Sequence, residues 1–180
     1  LRSPIYCDNR VLIAYPEARE QVVEAFSRQV SSEAEVIVGT ATAGIPHAAW
    51  LAHALNLPMA YVRSKAKQHG QGNQIEGRLS SGQRIVLIED LISTGGSALT
   101  AVMALRQAGA AILGCHSIFS YGLPAAVAGF AEAEVAVSSL VDLPVLLEVA
   151  TSQEMISPEQ QAAVLRWAAA PGAWQPGALP

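Results

Sequence analysis

Two adjacent carboxylates at the end of an apolar run are the residues of this sequence best suited to chemistry. Glu89 and Asp90 follow the apolar residues 85–88 and precede the hydroxyl- and glycine-rich residues 91–97. Glycines let backbone N–H groups approach a phosphate closely, and a helix start adds unpaired N–H donors and a positive dipole end. Carboxylates repel a phosphate, but they accept hydrogen bonds from sugar hydroxyls or bind a metal. The pattern predicts a ligand with sugar hydroxyls beside a 5′-phosphate; the alternative is a plain strand-to-helix turn with a solvated acidic pair.

Residues 39–44 form a second loop of small residues, between an apolar run and a helical pattern. Small side chains would permit close backbone contact with a diphosphate, and Thr40 and Thr42 could donate hydrogen bonds to it. Taken alone, this loop fits a structural turn equally well.

A basic stretch that contains glycines covers residues 61–77. Arg63, Lys65, Lys67 and His69 lie in it, with little apolar content between them. Because such a stretch cannot pack, we expect a mobile loop. Near a diphosphate site, a mobile basic loop would act as a closing lid. Without the phosphate pattern downstream, a solvated basic loop would be the simpler interpretation.

Apolar runs and helical spacings alternate along the chain, which predicts the elements that position these loops. We expect strands at residues 35–39, 59–63, 84–89, 111–119 and 134–137. We expect helices at residues 16–30, 46–55, 97–107, 125–131 and 158–169, with Ser157 as an N-cap and Gly109 as a stop. This alternation predicts an α/β fold with a mainly parallel sheet. Ligands of such sheets bind beyond the carboxyl ends of the strands.

The composition narrows the class of protein. With 180 residues, 51% of them hydrophobic and 14% charged, the chain can bury a sizeable core. A net charge of −4 disfavours a broad basic face for nucleic acid. Two distant cysteines form neither a disulfide framework nor a zinc motif, which favours the reducing cytoplasm, and no apolar run is long enough to span a bilayer. Because the chain begins at Leu1, we expect an N-terminal piece to be missing.

The string of residues 85–97 resembles the signature of type I phosphoribosyltransferases that binds 5-phosphoribosyl-1-diphosphate (PRPP). The resemblance implies the fold of that family over residues 1–180 as one domain: a mainly parallel sheet flanked by helices, with a small N-terminal hood that is incomplete here. It implies that Glu89 and Asp90 bind the ribose hydroxyls, and it counts Asp90 among the catalytic residues. It implies that the 5-phosphate is cradled by Leu91, Ile92, Ser93, Thr94, Gly95, Gly96 and Ser97.

Two further segments resemble orotate phosphoribosyltransferases in particular: the Arg…Lys-x-His-Gly pattern of residues 63–70 and the Ser-Pro-x-Tyr stretch of residues 3–6. The resemblance implies that Arg63, Lys67 and His69 contact the diphosphate, with Lys67 as the main catalytic cation and His69 as a second catalytic residue. It also assigns Thr40 and Ala41 to PRPP and Ser93 to orotate. Many relatives carry a lysine where Ala43 stands, and a second basic residue where Ser64 stands.

The activity implied by this resemblance is transfer of the 5-phosphoribosyl group from PRPP to orotate. The products are orotidine 5′-monophosphate and diphosphate, in de novo pyrimidine (UMP) biosynthesis. The implied cofactor is Mg²⁺ bridged by PRPP, with no protein ligand assigned to it. The implied assembly is a homodimer with shared active sites, without nucleic acid or membrane as a partner. Three alternatives stay open: a phosphoribosyltransferase for another base, a non-catalytic PRPP-sensing regulator, and a plain α/β binding domain.

Overall fold

The computed structural model describes residues 3–64 and 74–174, and these contain a six-stranded sheet. The strands are β1 (Val36–Thr40), β2 (Met59–Val62), β3 (Ile75–Glu76), β4 (Arg84–Ile92), β5 (Ala111–Ser120) and β6 (Val137–Asp142). Their spatial order is β3-β2-β1-β4-β5-β6. Neighbouring strands are parallel except for β2 and β3, which pair antiparallel. The mainly parallel sheet expected from the sequence is therefore confirmed.

Helices connect the strands. Among the described residues they are α1 (Pro16–Gln29), α2 (Gly44–Leu55), α3 (Gly96–Gln107), α4 (Pro124–Glu132), α5 (Leu143–Ser152) and α6 (Pro158–Ala169), with 3-10 helices at Asn9–Ala14 and Pro171–Ala173. Prolines in the first turn begin α1, α4, α5 and α6, where the missing N–H loses no helical hydrogen bond. Ser157 caps α6 in a capping box with Gln160, as predicted. Gly109 follows α3 with a φ of 82° and ends that helix.

The sheet is covered on both faces, because alternate residues of its central strands enter two different cores. Val38 of β1 and Leu87 of β4 pack beneath α3 and α4. Ile37 and Ile88, from the same two strands, pack on the other face with α1 and α2. Burial on both faces explains why the sequence of these strands is continuously apolar. The two layers of helices fix the carboxyl ends of β1 and β4 side by side.

Three sequence-based expectations about the elements were wrong. The strand predicted at residues 134–137 begins only at Val137; Glu134 has a φ of 50°, and its N–H bonds back to Ala131 at the end of α4. Helix α5 was missed, although Asp142 caps it. Strand β4 continues past its predicted end, so the acidic pair lies within the strand. This extension is stabilised by pairing with β5, which no local pattern reveals.

A third apolar cluster joins the two ends of the described chain. Ile5 and Cys7 pack with Tyr121, just after β5, and with Trp167 of α6. The N-terminal segment therefore lies across the carboxyl ends of β4 and β5, the place expected for a hood. Within residues 3–64 and 74–174, no helix is both long enough and apolar enough to cross a membrane.

Candidate active site

The acidic pair lies at the carboxyl end of β4, and its first member is almost fully enclosed. Glu89 is 5% exposed. Burial raises the pKa of Glu89 to about 8, and the neighbouring charge of Asp90 adds to the rise. Burial also raises the pKa of Asp90, opposed first by hydrogen bonds from the backbone N–H groups of Asp90 and Leu91 and then by the Arg10 guanidinium. Two carboxyl groups that resist ionisation are suited to accept a ligand that donates hydrogen bonds or carries positive charge.

The loop after the pair leads into the start of α3, as predicted. Gly95 is the N-cap, with a φ of 81° that a residue with a side chain adopts only under strain. No described side chain caps the helix, and no acidic residue occupies its first turn. The first turn lines a cavity of about 160 Å³, so its uncapped N–H groups are available to a ligand there. The cavity is lined by Glu89, Leu91, Ile92, Ser93, Thr94, Gly95, Gly96, Ser97 and Ala98.

The structure thus brings together the whole string predicted to cradle a phosphate. Ser93, Thr94, Gly96 and Ser97 are exposed, whereas the Ile92 side chain is buried in the core. Ile92 can therefore contribute only its backbone to a ligand. The assignment of Ser93 to orotate stays a prediction.

A second cavity, of about 210 Å³, adjoins the first. It is lined by Thr40, Ala41, Arg63, Ser64, Gly96, Ser97, Thr100 and Ala101. Gly96 and Ser97 line both cavities. The residues predicted from two separate segments to bind PRPP, Thr40, Ala41 and Arg63, are therefore brought together beside the phosphate loop. Arg63 also lies 3.6 Å from a carboxylate oxygen of Glu76.

Close backbone packing places the 41–43 loop next to the acidic pair. A Cβ on Gly44 would lie 2.6 Å from the Ile88 carbonyl oxygen, and one on Gly39 would lie 2.9 Å from the Ala48 Cβ. Glycine at both positions therefore lets α2 approach β1 and β4 directly. The Ala41–Thr42 peptide bond is cis. The Thr40 hydroxyl is buried near Glu89 and lowers its pKa, but it forms no hydrogen bond of normal geometry with the described residues.

Sequence reasoning missed Asn9, which anchors the N-terminal segment to the acidic pair. Its side-chain amide donates a hydrogen bond to the Asp90 carbonyl oxygen at 2.7 Å, and the residue is 8% exposed. The Cys7 backbone N–H donates to the Tyr121 hydroxyl at 3.0 Å. A single asparagine belongs to no motif or periodic pattern in the sequence. It is identified only by its contact with Asp90, which lies 81 positions further along the chain.

Lys65, Lys67 and His69 lie outside the described residues. The predicted contacts of Lys67 and His69 with a diphosphate therefore stay predictions, and no role is assigned to Lys65.

Comparisons with known proteins agree with this geometry. The phosphoribosyl transferase domain family matches residues 13–126. The orotate phosphoribosyltransferase of Coxiella burnetii is 49% identical over 177 residues, which cover 97% of this chain and 85% of that protein. The one of Bacillus subtilis is 54% identical over 168 residues, which cover 92% of this chain and 78% of that protein.

Solved structures show the same architecture. The orotate phosphoribosyltransferase from Aeropyrum pernix has a TM-score of 0.75 and 29% identity, with 84% of this chain and 86% of that chain covered. The Leishmania donovani UMP synthase has a TM-score of 0.78 and 27% identity, with 96% of this chain and 37% of that chain covered.

Proposed function

Since this chain belongs to the phosphoribosyltransferase family, and within it to the orotate phosphoribosyltransferases, we propose that it transfers the 5-phosphoribosyl group of PRPP to orotate. The products are orotidine 5′-monophosphate and diphosphate, in de novo pyrimidine (UMP) biosynthesis. The observation that carries the proposal is the pair of adjoining cavities that share Gly96 and Ser97. One has the open helix start suited to a 5-phosphate, and the other has Arg63 beside small residues, suited to a diphosphate. Glu89 lines the first cavity, and we assign it to the ribose hydroxyls.

The reaction needs stabilisation of charge and no covalent nucleophile. Orotate nitrogen attacks the anomeric carbon of the ribose while diphosphate leaves, so the sugar gains positive charge and the leaving group gains negative charge. Glu89 and Asp90, once ionised, accept hydrogen bonds from the ribose hydroxyls and favour the positive charge on the sugar. Arg63 stabilises the departing diphosphate, and we assign the same role to Lys67 and His69. Exclusion of water from the site during the reaction would prevent hydrolysis of PRPP.

We include Mg²⁺ in the proposal, because the acidic pair fits a metal that arrives with the substrate. Among the described residues there is no group of three or more acidic, histidine or cysteine side chains that could hold a metal alone. Magnesium is usually held by one or two carboxylates together with substrate phosphates. Glu89 and Asp90 supply such carboxylates, and their reluctance to ionise would be relieved by a cation. The bound metal would act as a Lewis acid and template on the diphosphate and ribose oxygens.

We further propose a cytoplasmic homodimer with shared active sites. Arg63 is the cation among the described residues that line the diphosphate cavity, and it is already close to Glu76. A diphosphate carries more negative charge than one arginine neutralises, so further cations are needed. Residues 65–69 of a second copy would supply them.

The free thiols of Cys7 and Cys115 fit a reducing compartment, which supports the cytoplasmic location.

The experiment that tests the proposal is release of diphosphate from PRPP and orotate, with and without magnesium. Adenine, hypoxanthine and uracil serve as comparison bases. Magnesium-dependent release with orotate is expected. Release only with another base would overturn the choice of orotate, and no release with any base would overturn the enzyme assignment in favour of a PRPP-binding regulator.

A further inference from the structure

The geometry of the reaction fixes the side on which the base must bind. A base that displaces diphosphate in line approaches the anomeric carbon from the face opposite to the leaving group. The diphosphate cavity lies at the ends of β1 and β2, since Thr40, Ala41 and Arg63 line it. The base therefore lies on the other side of the acidic pair, toward β5.

The N-terminal segment occupies that side. Asn9 bonds to the Asp90 carbonyl oxygen of β4, and Cys7 bonds to Tyr121 just beyond β5. These two contacts hold the segment between them against the carboxyl ends of both strands. The residues on either side of Asn9 therefore border the space that the base would enter.

Arg10 is the cation among the described residues of this segment. Its Nε and Nη2 donate to the two Asp8 carboxylate oxygens at 2.6 and 2.8 Å, and Nη2 also donates to the Tyr6 hydroxyl at 2.8 Å. These bonds fix the plane of the guanidinium. Nη1 makes no hydrogen bond with the described residues, and 58% of the side chain is exposed. Because Nε and both N–H groups of Nη2 are already bonded, Arg10 keeps the two N–H donors of Nη1 for an incoming carboxylate, which it can contact through that one nitrogen.

Three other described cations are engaged elsewhere. Arg63 lines the diphosphate cavity. Arg84 pairs with Glu35 at the opposite end of β4, and Arg19 lies over the Trp50 ring. Arg10 is paired with Asp8, but it also lies near enough to Asp90 for the two charges to interact.

From this placement we infer that Arg10 binds the carboxylate of orotate, the group next to the nitrogen that attacks the sugar. The inference rests on the proposed function, because it requires orotate as the base. It makes Arg10 a specificity-determining residue: a base without a carboxylate gains nothing from it.

The test is steady-state kinetics of Arg10→Met, which keeps the length of the side chain and removes its charge. The KM for orotate should rise roughly 10- to 100-fold, the loss of one hydrogen bond between charged groups, while the KM for PRPP stays within about threefold. Arg10→Lys keeps the charge without the planar guanidinium, so it should recover part of the loss. Arg84→Met is the matched control at the other end of β4, and its KM for orotate should equal that of the parent chain.

Two results would overturn the inference while the proposed function stands. One is an active Arg10→Met variant whose KM for orotate is unchanged. The other is an equal rise in the KM values for orotate and PRPP, which would indicate a structural role only. If Arg10→Met does not fold, Arg10→Gln carries the same test. Failure of the parent chain to use orotate would instead overturn the proposed function itself.

Discussion

Replacing Glu89 with glutamine removes a buried ionisable group at the centre of the site and leaves a side chain of nearly the same shape. The Glu89 carboxyl is 5% exposed, and burial, with the charge of Asp90 in addition, raises its pKa from 4.5 to about 8. Without ligand at neutral pH, this carboxyl is therefore mostly protonated. The glutamine variant resembles that protonated form, but it cannot ionise at higher pH.

The direction of the effect follows from proton linkage. Between pH 4.5 and about 8, the folded chain keeps a proton on Glu89 that the unfolded chain has already lost. The stability that this difference contributes is complete below pH 4.5. It is lost as the pH rises toward about 8. At about 1.4 kcal/mol per pH unit, an interval of roughly 3.5 units corresponds to at most about 5 kcal/mol. Relaxation of the site around the charged carboxylate makes a loss of a few kcal/mol the realistic expectation.

The assay is urea-induced unfolding of the ligand-free chain at several pH values between about 5 and about 9. The parent chain should lose stability relative to Glu89→Gln across this range, and the two should be similar at its acidic end. Glu35→Gln is the matched control, because that side chain is 45% exposed at the opposite end of the sheet; it should follow the parent. If the free energy of unfolding changed with pH in the same way for the parent and for Glu89→Gln, the reasoning would be refuted, because burial would then not disfavour the ionised carboxylate.

Three other substitutions test separate parts of the site and core. Asp90→Asn should weaken PRPP binding about tenfold, because an amide accepts weaker hydrogen bonds than a carboxylate; unchanged affinity by calorimetry would exclude a ribose contact. Lys67→Ala should lower kcat by about 10²–10³ through loss of a charge-stabilising donor, and near-parental turnover in a diphosphate-release assay would contradict its role. Burial lowers the pKa of His47 from 6.5 to about 4. As the pH falls through this range, His47 of the unfolded chain binds a proton before His47 of the folded chain does, so the folded chain becomes less stable. His47→Leu should remove this loss of stability in acid, which amounts to up to about 3 kcal/mol. Urea unfolding at both ends of the pH range measures the loss, and an equal loss in the variant and the parent would show that His47 is not its cause.

The loop that we assign to the 5-phosphate was predictable as a local structure because it is continuous in sequence. An apolar strand, an acidic pair, a glycine-containing loop and a helix start follow one another within residues 84–97, so chain connectivity alone places them side by side. The same reasoning predicted β1 and the start of α2 to within two residues. Each of these elements depends on local backbone preferences and on a burial pattern that the sequence displays directly.

The edge of the sheet was not predictable in this way. Strand β6 contains two serines and an aspartate, and three of its six residues are exposed. An edge strand buried on so little of its surface lacks the continuous apolar pattern that marked the central strands. Its position depends on pairing with β5, which the sequence does not encode locally.

The sequence by itself determined which residues could hold a sugar phosphate, since Glu89, Asp90 and the turn after them are joined covalently in the required order. Tertiary structure alone decided that Thr40 and Arg63 share a cavity with Gly96, and that Asn9 fastens the N-terminal segment to β4. The physical reason is that packing of helices on the two faces of the sheet brings these distant residues together. Spacing along the chain carries no information about contacts made by that packing.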